Sequence, residues 1–107
     1  MKYLFCIISL FLIASTGKGQ ETIFELWKSE LKLADSYFEN RDYHNALELY
    51  RHVIKKKPNR EVELKMARTY HLLKQYEKAV MFYEKHANTN SLPVKDLYYY
   101  AEAQSGI

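Results

Sequence analysis

Two histidines and a glutamate have the spacing that best suggests metal chemistry in this 107-residue chain. His44, Glu48 and His52 follow one another at intervals of four, so a helix would place all three on one face. The two imidazoles would then lie about 12 Å apart along the helix axis, too far to share one metal ion without further ligands. We interpret the three residues as a solvated outer face, and we predict no metal site.

The segment 1–20 has the composition of an export signal. Lys2 supplies a positive start, an apolar run covers residues 3–14, and Gly17 and Gly19 place small side chains before a cut at Gln20. A bilayer span needs roughly 20 apolar residues, so this shorter run favours a cleaved signal peptide over an uncleaved N-terminal anchor. We therefore predict an exported protein with no membrane insertion after cleavage.

Removal of this signal changes which chemistry the mature chain can perform. The only cysteine, Cys6, lies inside the signal. A mature chain without thiols has no disulfide framework and no thiolate chemistry. Loss of Lys2 and Lys18 also leaves 14 basic against 13 acidic residues. This near balance gives no reason to predict nucleic acid as a partner.

The remaining candidates for chemistry have simpler interpretations. Lys55, Lys56 and Lys57 form a basic run, but cations at the end of a helix complement its dipole. The chain has no glycine-rich phosphate loop, no serine-centred nucleophile elbow and no clustered metal ligands. We predict no catalytic residues and no cofactor, and therefore a protein that is not an enzyme.

Apolar residues recur at helical spacing from Thr22 onward and are interrupted by turn-forming segments. The spacing predicts helices from Thr22, from Tyr43 to Lys56, from about Arg60, from Tyr76, and from Val94 to about Ser105. Asn40 or Asp42 can cap the second helix. No segment alternates as a half-buried strand does, so the predicted fold class is all-α.

The same spacing predicts which faces of the last two helices are buried. The buried face of the fourth helix is predicted to extend to Ala87. The buried face of the fifth helix is predicted to contain Leu97, Tyr100, Ala101 and Gln104.

A sequence repeat connects these helices. The segment "YHNALELY" at 43–50 returns as "YEKAVMFY" at 76–83, and Ala34 and Tyr37 return as Ala67 and Tyr70, each at an offset of 33. The fifth helix continues the series with Tyr100 and Ala101, at an offset of 34 from Met66 and Ala67. A fixed period with two helices in each unit predicts a helical solenoid. The alanines would lie where paired helices approach most closely.

This pattern resembles the tetratricopeptide repeat, which has a small residue and a tyrosine in its first helix and an alanine, an aromatic residue and a proline in its second. The matching residues of the first unit are Ala34, Tyr37, Ala46, Tyr50 and Pro58. The second unit matches at Ala67, Tyr70, Ala79 and Tyr83, but it has His86 where a small residue is usual and its proline is displaced to Pro93. The resemblance implies an antiparallel helix-turn-helix solenoid of about two and a half repeats. The predicted boundaries are 1–20 for the signal peptide and 21–107 for the repeat domain, divided into 27–59, 60–93 and an incomplete third unit at 94–107.

The resemblance also implies that the first helices line a concave groove that binds a protein or peptide segment. The groove residues that it implies are Lys28, Leu31, Asp35, Phe38, Glu61, Leu64, Arg68, His71, Lys95, Tyr98 and Glu102. We expect Phe38 and Tyr98 to make the main contacts, because interfaces are enriched in aromatic residues. Leu31, Leu64 and Asp35 depart from the lysine and asparagine positions of chaperone-binding members, so we do not expect a chaperone-tail clamp.

The fifth helix has no predicted partner helix, so we expect the chain to be the N-terminal part of a longer protein. A signal peptide followed by tyrosine-rich repeats resembles the N-terminal region of bacterial OmpA-family envelope proteins, in which such repeats precede a β-propeller and a peptidoglycan-binding domain. This resemblance implies a scaffold in the periplasm, associated with the outer membrane, that binds other envelope proteins. The alternatives are an accessory domain of a longer envelope enzyme and a stand-alone periplasmic adaptor that dimerises to cover the fifth helix.

Overall fold

The computed structural model describes residues 22–107, and the predicted signal peptide lies outside that range. The described chain forms five α-helices: α1 over 22–39, α2 over Tyr43–Lys56, α3 over Arg60–Leu72, α4 over Tyr76–Ala87 and α5 over Val94–Ser105. No strand occurs within residues 22–107. The prediction of an all-α helical solenoid is confirmed, and α2 has the bounds that its sequence pattern predicts.

The central helix of the described chain is α3, which packs against α2, α4 and α5. Four alanines, Ala34, Ala46, Ala67 and Ala79, are completely buried in the first four helices. Tyr50 and Tyr83 are buried beside them, one in each helix pair. Small residues allow two backbones to come close, while each tyrosine fills the wider space one turn further along. The predicted seam of alanine and tyrosine is therefore present in both pairs.

The turns within the two helix pairs share one backbone geometry. Arg41 and Lys74, which occupy the same position in the two repeats, have φ angles of 63° and 61°. In each turn the following amide donates back to a carbonyl of the preceding helix, at 2.8 Å from Asp42 to Tyr37 and at 2.9 Å from Gln75 to Tyr70. These bonds satisfy carbonyls that the end of the helix leaves unpaired. The repeat in sequence is therefore also a repeat in backbone conformation.

Helix capping differs from the prediction at α2. Asp42 precedes α2, but its side chain makes no capping hydrogen bond to the helix backbone. It accepts instead from the side-chain amide of Asn45 at 2.8 Å. At α3, by contrast, Asn59 accepts from the backbone amide of Val62 at 3.2 Å.

The predicted buried face of α5 is wrong for Leu97, Ala101 and Gln104, whereas Tyr100 packs against the core. Asp96 and Ala103 are buried, whereas Leu97, Ala101 and Gln104 are exposed and Tyr100 is half-buried. This occurs because α5 packs only on α3 and α4 within the described chain, so only the side that faces them is covered. In α1, similarly, Ala34 is completely buried whereas Leu26 and Leu33 are about half exposed.

One further difference from the prediction concerns α4. Ala87, predicted to lie on the inner face of α4, is exposed, and the neighbouring His86 is buried in its place.

Among the helices of residues 22–107, none has both the length and the apolar character required to cross a bilayer.

Candidate protein-binding groove

A cleft of about 250 Å³ lies where α1, α2 and α3 meet. Three of the predicted groove residues line it, namely Asp35, Phe38 and Arg68. The ring of Phe38 packs edge-on against Tyr43 with 5.5 Å between centroids, so it is held in place while it stays partly accessible. The structure therefore brings together an aromatic ring and two charged side chains at one concave site. The other lining residues are Glu39, Tyr50 and Lys65.

Asp35 is fixed at the wall of this cleft by two donors. The hydroxyl of Tyr50 donates to Oδ1 of Asp35 at 2.5 Å. The ammonium of Lys65 donates to Oδ1 and Oδ2 at 3.0 and 2.9 Å. Burial, together with the hydrogen bond and negative charge of Asp35, raises the pKa of Tyr50 far above its usual value. Tyr50 is thus a neutral donor, and α1, α2 and α3 are connected through one carboxylate.

Arg68 forms the second charged contact of the groove and is directed at α5. Its Nε and Nη2 donate to the two carboxylate oxygens of Asp96, each at 2.6 Å. The hydroxyl of Tyr83 also donates to Asp96, at 3.0 Å. Asp96 is 0% exposed, and the hydrogen bonds to Asp96 raise the pKa of Arg68 above its usual value. A planar guanidinium suits this bidentate geometry.

Asp96 is not among the predicted site residues. An acidic residue in the first turn of a helix is usually explained by the helix dipole, which favours negative charge there. The repeat offset of 34 could have identified Asp96, because it places this carboxylate at the position of Val62, which is buried in α3. When a charged residue occupies a position whose counterpart in the preceding repeat is apolar and buried, the charged side chain is expected to have a buried partner of opposite charge.

His71 and Glu102, two further predicted groove residues, contact each other. The Nε2 atom of His71 lies 2.9 Å from Oε1 of Glu102. The His71 ring is buried between Tyr99 and Tyr76, with centroids 4.6 and 5.7 Å away. Its Nδ1 atom is buried and has no hydrogen-bond partner within the described chain. His71 therefore joins α3 to α5 and offers little surface to a partner.

The remaining predicted residues range from core to solvent. Leu64 is a core residue, and Leu31 is half-buried against the core. The ammonium groups of Lys28 and Lys95 lie over the rings of Phe24 and Tyr99, at 5.4 and 5.7 Å from the centroids. Tyr98 is 65% exposed and is the most accessible aromatic side chain of the predicted set. Glu61 is exposed at the start of α3.

Outside the groove, the outer face of α2 carries the histidines and lysines noted in the sequence. His44, Glu48 and His52 are all solvent-accessible, with Glu48 and His52 lining shallow surface depressions. Lys56 donates to Glu30 of α1 at 3.0 Å, and Lys57 lies over the ring of Trp27. Two members of the basic run therefore join α2 to α1. Among residues 22–107, no group of three or more His, Cys, Asp and Glu side chains could hold a metal ion.

The arrangement is suited to recognition of a chain segment. Most charges of the groove already have partners within the fold, while Phe38, Glu39 and Tyr98 remain accessible. Side chains that are already ordered lose little entropy when a partner binds.

Comparison with known proteins gives matches for the repeats. Two family models, each described as a tetratricopeptide repeat, match residues 28–60 and 64–86. Together the two matches cover just over half of the chain. No curated protein and no solved structure matches it.

Proposed function

We propose that this chain, a member of the tetratricopeptide repeat family, holds a protein or peptide segment in the concave groove and performs no catalysis itself. The repeat fold suggests a protein-interaction scaffold. The observation that carries this proposal is the cleft beside Phe38, in which an accessible aromatic ring lies next to charged side chains already fixed by internal bonds. A partner would contact an ordered surface there.

The groove offers two aromatic contact points. An apolar side chain of the partner would enter the cleft and pack on Phe38, which Tyr43 supports from behind. A second contact would form on Tyr98, on α5. Glu39 lies at the cleft and is exposed, so it would favour a positive side chain next to the apolar one. Aromatic side chains in such positions commonly contribute most of the binding free energy of an interface.

The groove is tested by recovery of partners from bacterial envelope extract. The mature chain is immobilised as wild type, Phe38→Ala, Tyr98→Ala and His52→Ala. The His52 variant is the matched control, because this residue is exposed on the outer face of α2. We expect each aromatic substitution to weaken partner binding by about tenfold, or about 1.4 kcal/mol, and to lower partner recovery accordingly, because the important residues of an interface each contribute more than about 1 kcal/mol. Unchanged recovery with both Phe38→Ala and Tyr98→Ala would contradict the groove assignment.

We further propose that the scaffold acts in the bacterial cell envelope, as the N-terminal repeat region of an OmpA-like protein associated with the outer membrane and peptidoglycan. Support comes from the basic start, the short apolar run and the small residues before Gln20. In this location the repeats would hold partner proteins near the outer membrane and the cell wall.

Export is tested by mass spectrometry of the chain recovered from fractionated bacterial cells. The expected product begins within a few residues of Gln20 and appears in the periplasmic or outer-membrane fraction. A chain that keeps Met1 and stays in the cytoplasm would contradict the envelope proposal while leaving the groove proposal intact.

A further inference from the structure

Positive charge is concentrated on α2 and on the residue that follows it. Residues 43–57 contain four basic side chains and one acidic side chain, whereas the chain after the predicted signal peptide contains 14 basic and 13 acidic residues. Lys56 and Lys57 serve the fold, since both contact α1. The other two, Arg51 and Lys55, are exposed and form no ion pair with a carboxylate within the described residues. Their charges are therefore available to a partner.

Arg51 is held in one orientation although it is exposed. Its Nη2 atom donates to the hydroxyl of Tyr70 at 3.0 Å, and its guanidinium carbon lies 6.0 Å from the centroid of the Tyr70 ring. Tyr70 is buried in α3 and stacks on Phe82 of α4, so the ring is fixed. The other N–H groups of Arg51 have no acceptor in the described part of the chain. An ordered guanidinium with free donors suits the two oxygens of a carboxylate.

A cation from another helix lies at the same place. The ammonium of Lys78, on α4, lies 5.6 Å from the centroid of the Tyr70 ring. Lys78 is exposed and, like Arg51, forms no ion pair with a carboxylate among residues 22–107. Lys55 follows Arg51 by four positions, or about 6 Å along the axis of α2. We refer to Arg51, Lys55 and Lys78 as the α2–α4 basic face.

A shallow depression of about 570 Å³ adjoins two of these cations. Arg51 and Lys55 line it, together with the half-buried Ile54 and with Glu48 and His52. The depression gives an anionic side chain access to both cations from solvent, and Ile54 offers an apolar contact beside them.

The repeat indicates that packing of the helices does not require this face. Positions that hold the helix pairs together keep their residue types at the offset of 33, as Ala46 and Ala79 do. Arg51 corresponds instead to Glu84, which has the opposite charge and is also exposed. The basic face is therefore a property of α2 and its surroundings and not of the repeat.

Neighbouring carboxylates limit the kind of anion that fits. Glu48 lies one helical turn before Arg51, and Glu77 directly precedes Lys78, and both glutamates are exposed. A nucleic acid or an anionic membrane presents a dense array of phosphates, which would be repelled by these glutamates while they contact the cations. A protein segment can place separate carboxylates at the cations alone.

We propose that the α2–α4 basic face binds an acidic segment of a partner protein, with one carboxylate on the guanidinium of Arg51 and further carboxylates on Lys55 and Lys78. None of these three residues belongs to the predicted concave groove. The proposal therefore does not depend on the function proposed for the groove.

The test measures binding of two synthetic peptides to the full chain by fluorescence anisotropy. In the acidic peptide glutamate alternates with serine, because alternate side chains of an extended peptide are about 7 Å apart, close to the spacing of Arg51 and Lys55. In the control peptide glutamine replaces every glutamate. We expect the acidic peptide to bind at least about tenfold more tightly than the control peptide, and its binding should weaken as salt is added.

Substitutions on the face make the test specific. Arg51→Glu introduces the charge of the second repeat and should weaken binding of the acidic peptide by about tenfold. Lys55→Gln and Lys78→Gln should each weaken it by about threefold, and Glu48→Gln, which removes a repelling charge, should tighten it by about threefold. Lys32→Gln removes one positive charge from an exposed position of α1 and is the matched control. All five residues are exposed, so each variant should keep the wild-type circular dichroism spectrum.

Three results would overturn the proposal. These are equal binding of the two peptides, wild-type affinity in Arg51→Glu, and an equal loss in Lys32→Gln and Lys55→Gln, which would mean that only net charge matters. A single-stranded oligonucleotide and vesicles that contain phosphatidylglycerol are measured at the same salt concentration. Tighter binding of either one than of the acidic peptide would also overturn it, with a nucleic acid or an anionic membrane as the occupant instead.

Discussion

The two helix pairs α1–α2 and α3–α4 carry equivalent tyrosines, Tyr50 and Tyr83, but the carboxylates that these tyrosines contact differ in position and burial. Tyr50 donates to Asp35 of its own helix pair, and the side chain of Asp35 is 36% exposed. Tyr83 donates to Asp96 of the following helix, and the side chain of Asp96 is 0% exposed. The first carboxylate lines a cleft, whereas the second joins α5 to the preceding pair.

A second pair of equivalent residues shows the same trend. Glu30 and Glu63 occupy the same position in the two repeats, and both accept from a lysine of the helix that packs on them. The Glu30 side chain is partly exposed, whereas Glu63 is buried and also contacts His86. The repeat therefore preserves the positions of the polar contacts but not their burial. Buried contacts hold the helix pair α3–α4 and α5 together. The contacts of the helix pair α1–α2 are more accessible, so this pair leaves a surface for partners.

The largest effect is expected from Arg68→Met. This substitution leaves Asp96 buried without its main charged partner, and an uncompensated buried charge lowers the free energy of unfolding by about 3 kcal/mol. Urea denaturation followed by circular dichroism measures the change. A loss below about 1 kcal/mol, in the range of an exposed ion pair, would remove the distinction between the two carboxylates.

The tyrosines permit a matched comparison of the two sites. Tyr83→Phe should lower the free energy of unfolding by about 1.5 kcal/mol, because its hydroxyl bonds to a buried carboxylate. Tyr50→Phe should lower it by about 0.5 kcal/mol, since water and Lys65 can still solvate Asp35. Both variants keep the aromatic ring, so packing is controlled. Equal losses from the two denaturation curves would contradict the comparison.

Glu63 gives a pH-dependent test of the second helix pair. Burial alone would raise the pKa of Glu63, but the hydrogen bonds from Lys85 and His86 outweigh it and lower this pKa below the usual value. A lowered pKa in the folded state means that the stabilisation is present above the usual glutamate pKa of about 4.3 and is lost as pH falls through the folded value. Glu63→Gln should cost about 1 kcal/mol at pH 7.

The difference between wild type and Glu63→Gln should therefore stay constant from pH 7 down to the usual glutamate pKa of about 4.3, and it should shrink as pH falls further through the lowered pKa of the folded state. A difference that also stays constant below about pH 4.3, down to the acid limit of folding, would show that the charge of Glu63 does not contribute. Glu30→Gln provides the control in the first helix pair, with a smaller loss at pH 7.

The smallest effect is expected from Lys65→Met. Lys65 and Asp35 are both partly exposed, so their ion pair should contribute about 0.5 kcal/mol or less to the free energy of unfolding. The contribution should also decrease when salt is added, because exposed charges are screened. A loss as large as that of Arg68→Met would mean that Asp35 is as strongly coupled to the fold as Asp96.

The sequence pattern predicts most of the fold. The spacing of Tyr43, Ala46 and Tyr50, which returns in the second repeat, determines which faces of α2 and α4 are buried, because burial follows helical periodicity. The pattern fails at α5, where Ala101 matches the buried seam residue Ala67 of α3 but is exposed, because α3 and α4 cover the side of α5 that carries Asp96 and Ala103. Periodicity identifies an apolar face without showing whether another helix covers it.

The polar contacts of the groove are less predictable than the helices. Asp35, Phe38 and Arg68 are predicted groove residues and do line one cleft. Asp96 is not among the predicted residues, although its alignment with the buried Val62 could have identified it, and His71 is predicted to lie on an open surface but is buried. The pairs between these side chains join residues of different helices, and their geometry depends on how far each side chain reaches across the gap. Helical spacing within one segment does not contain that information.

The most direct test of the central claim is the affinity of a purified partner, identified by recovery from envelope extract, for wild type and for Phe38→Ala and Tyr98→Ala. Calorimetry should show binding about tenfold weaker for each variant, with His52→Ala unchanged. The Tyr98 variant separates binding from folding, because Tyr98 is largely exposed and its loss should leave the urea midpoint unaltered. Wild-type affinity in both aromatic variants would contradict the proposal that this protein binds its partners through the groove.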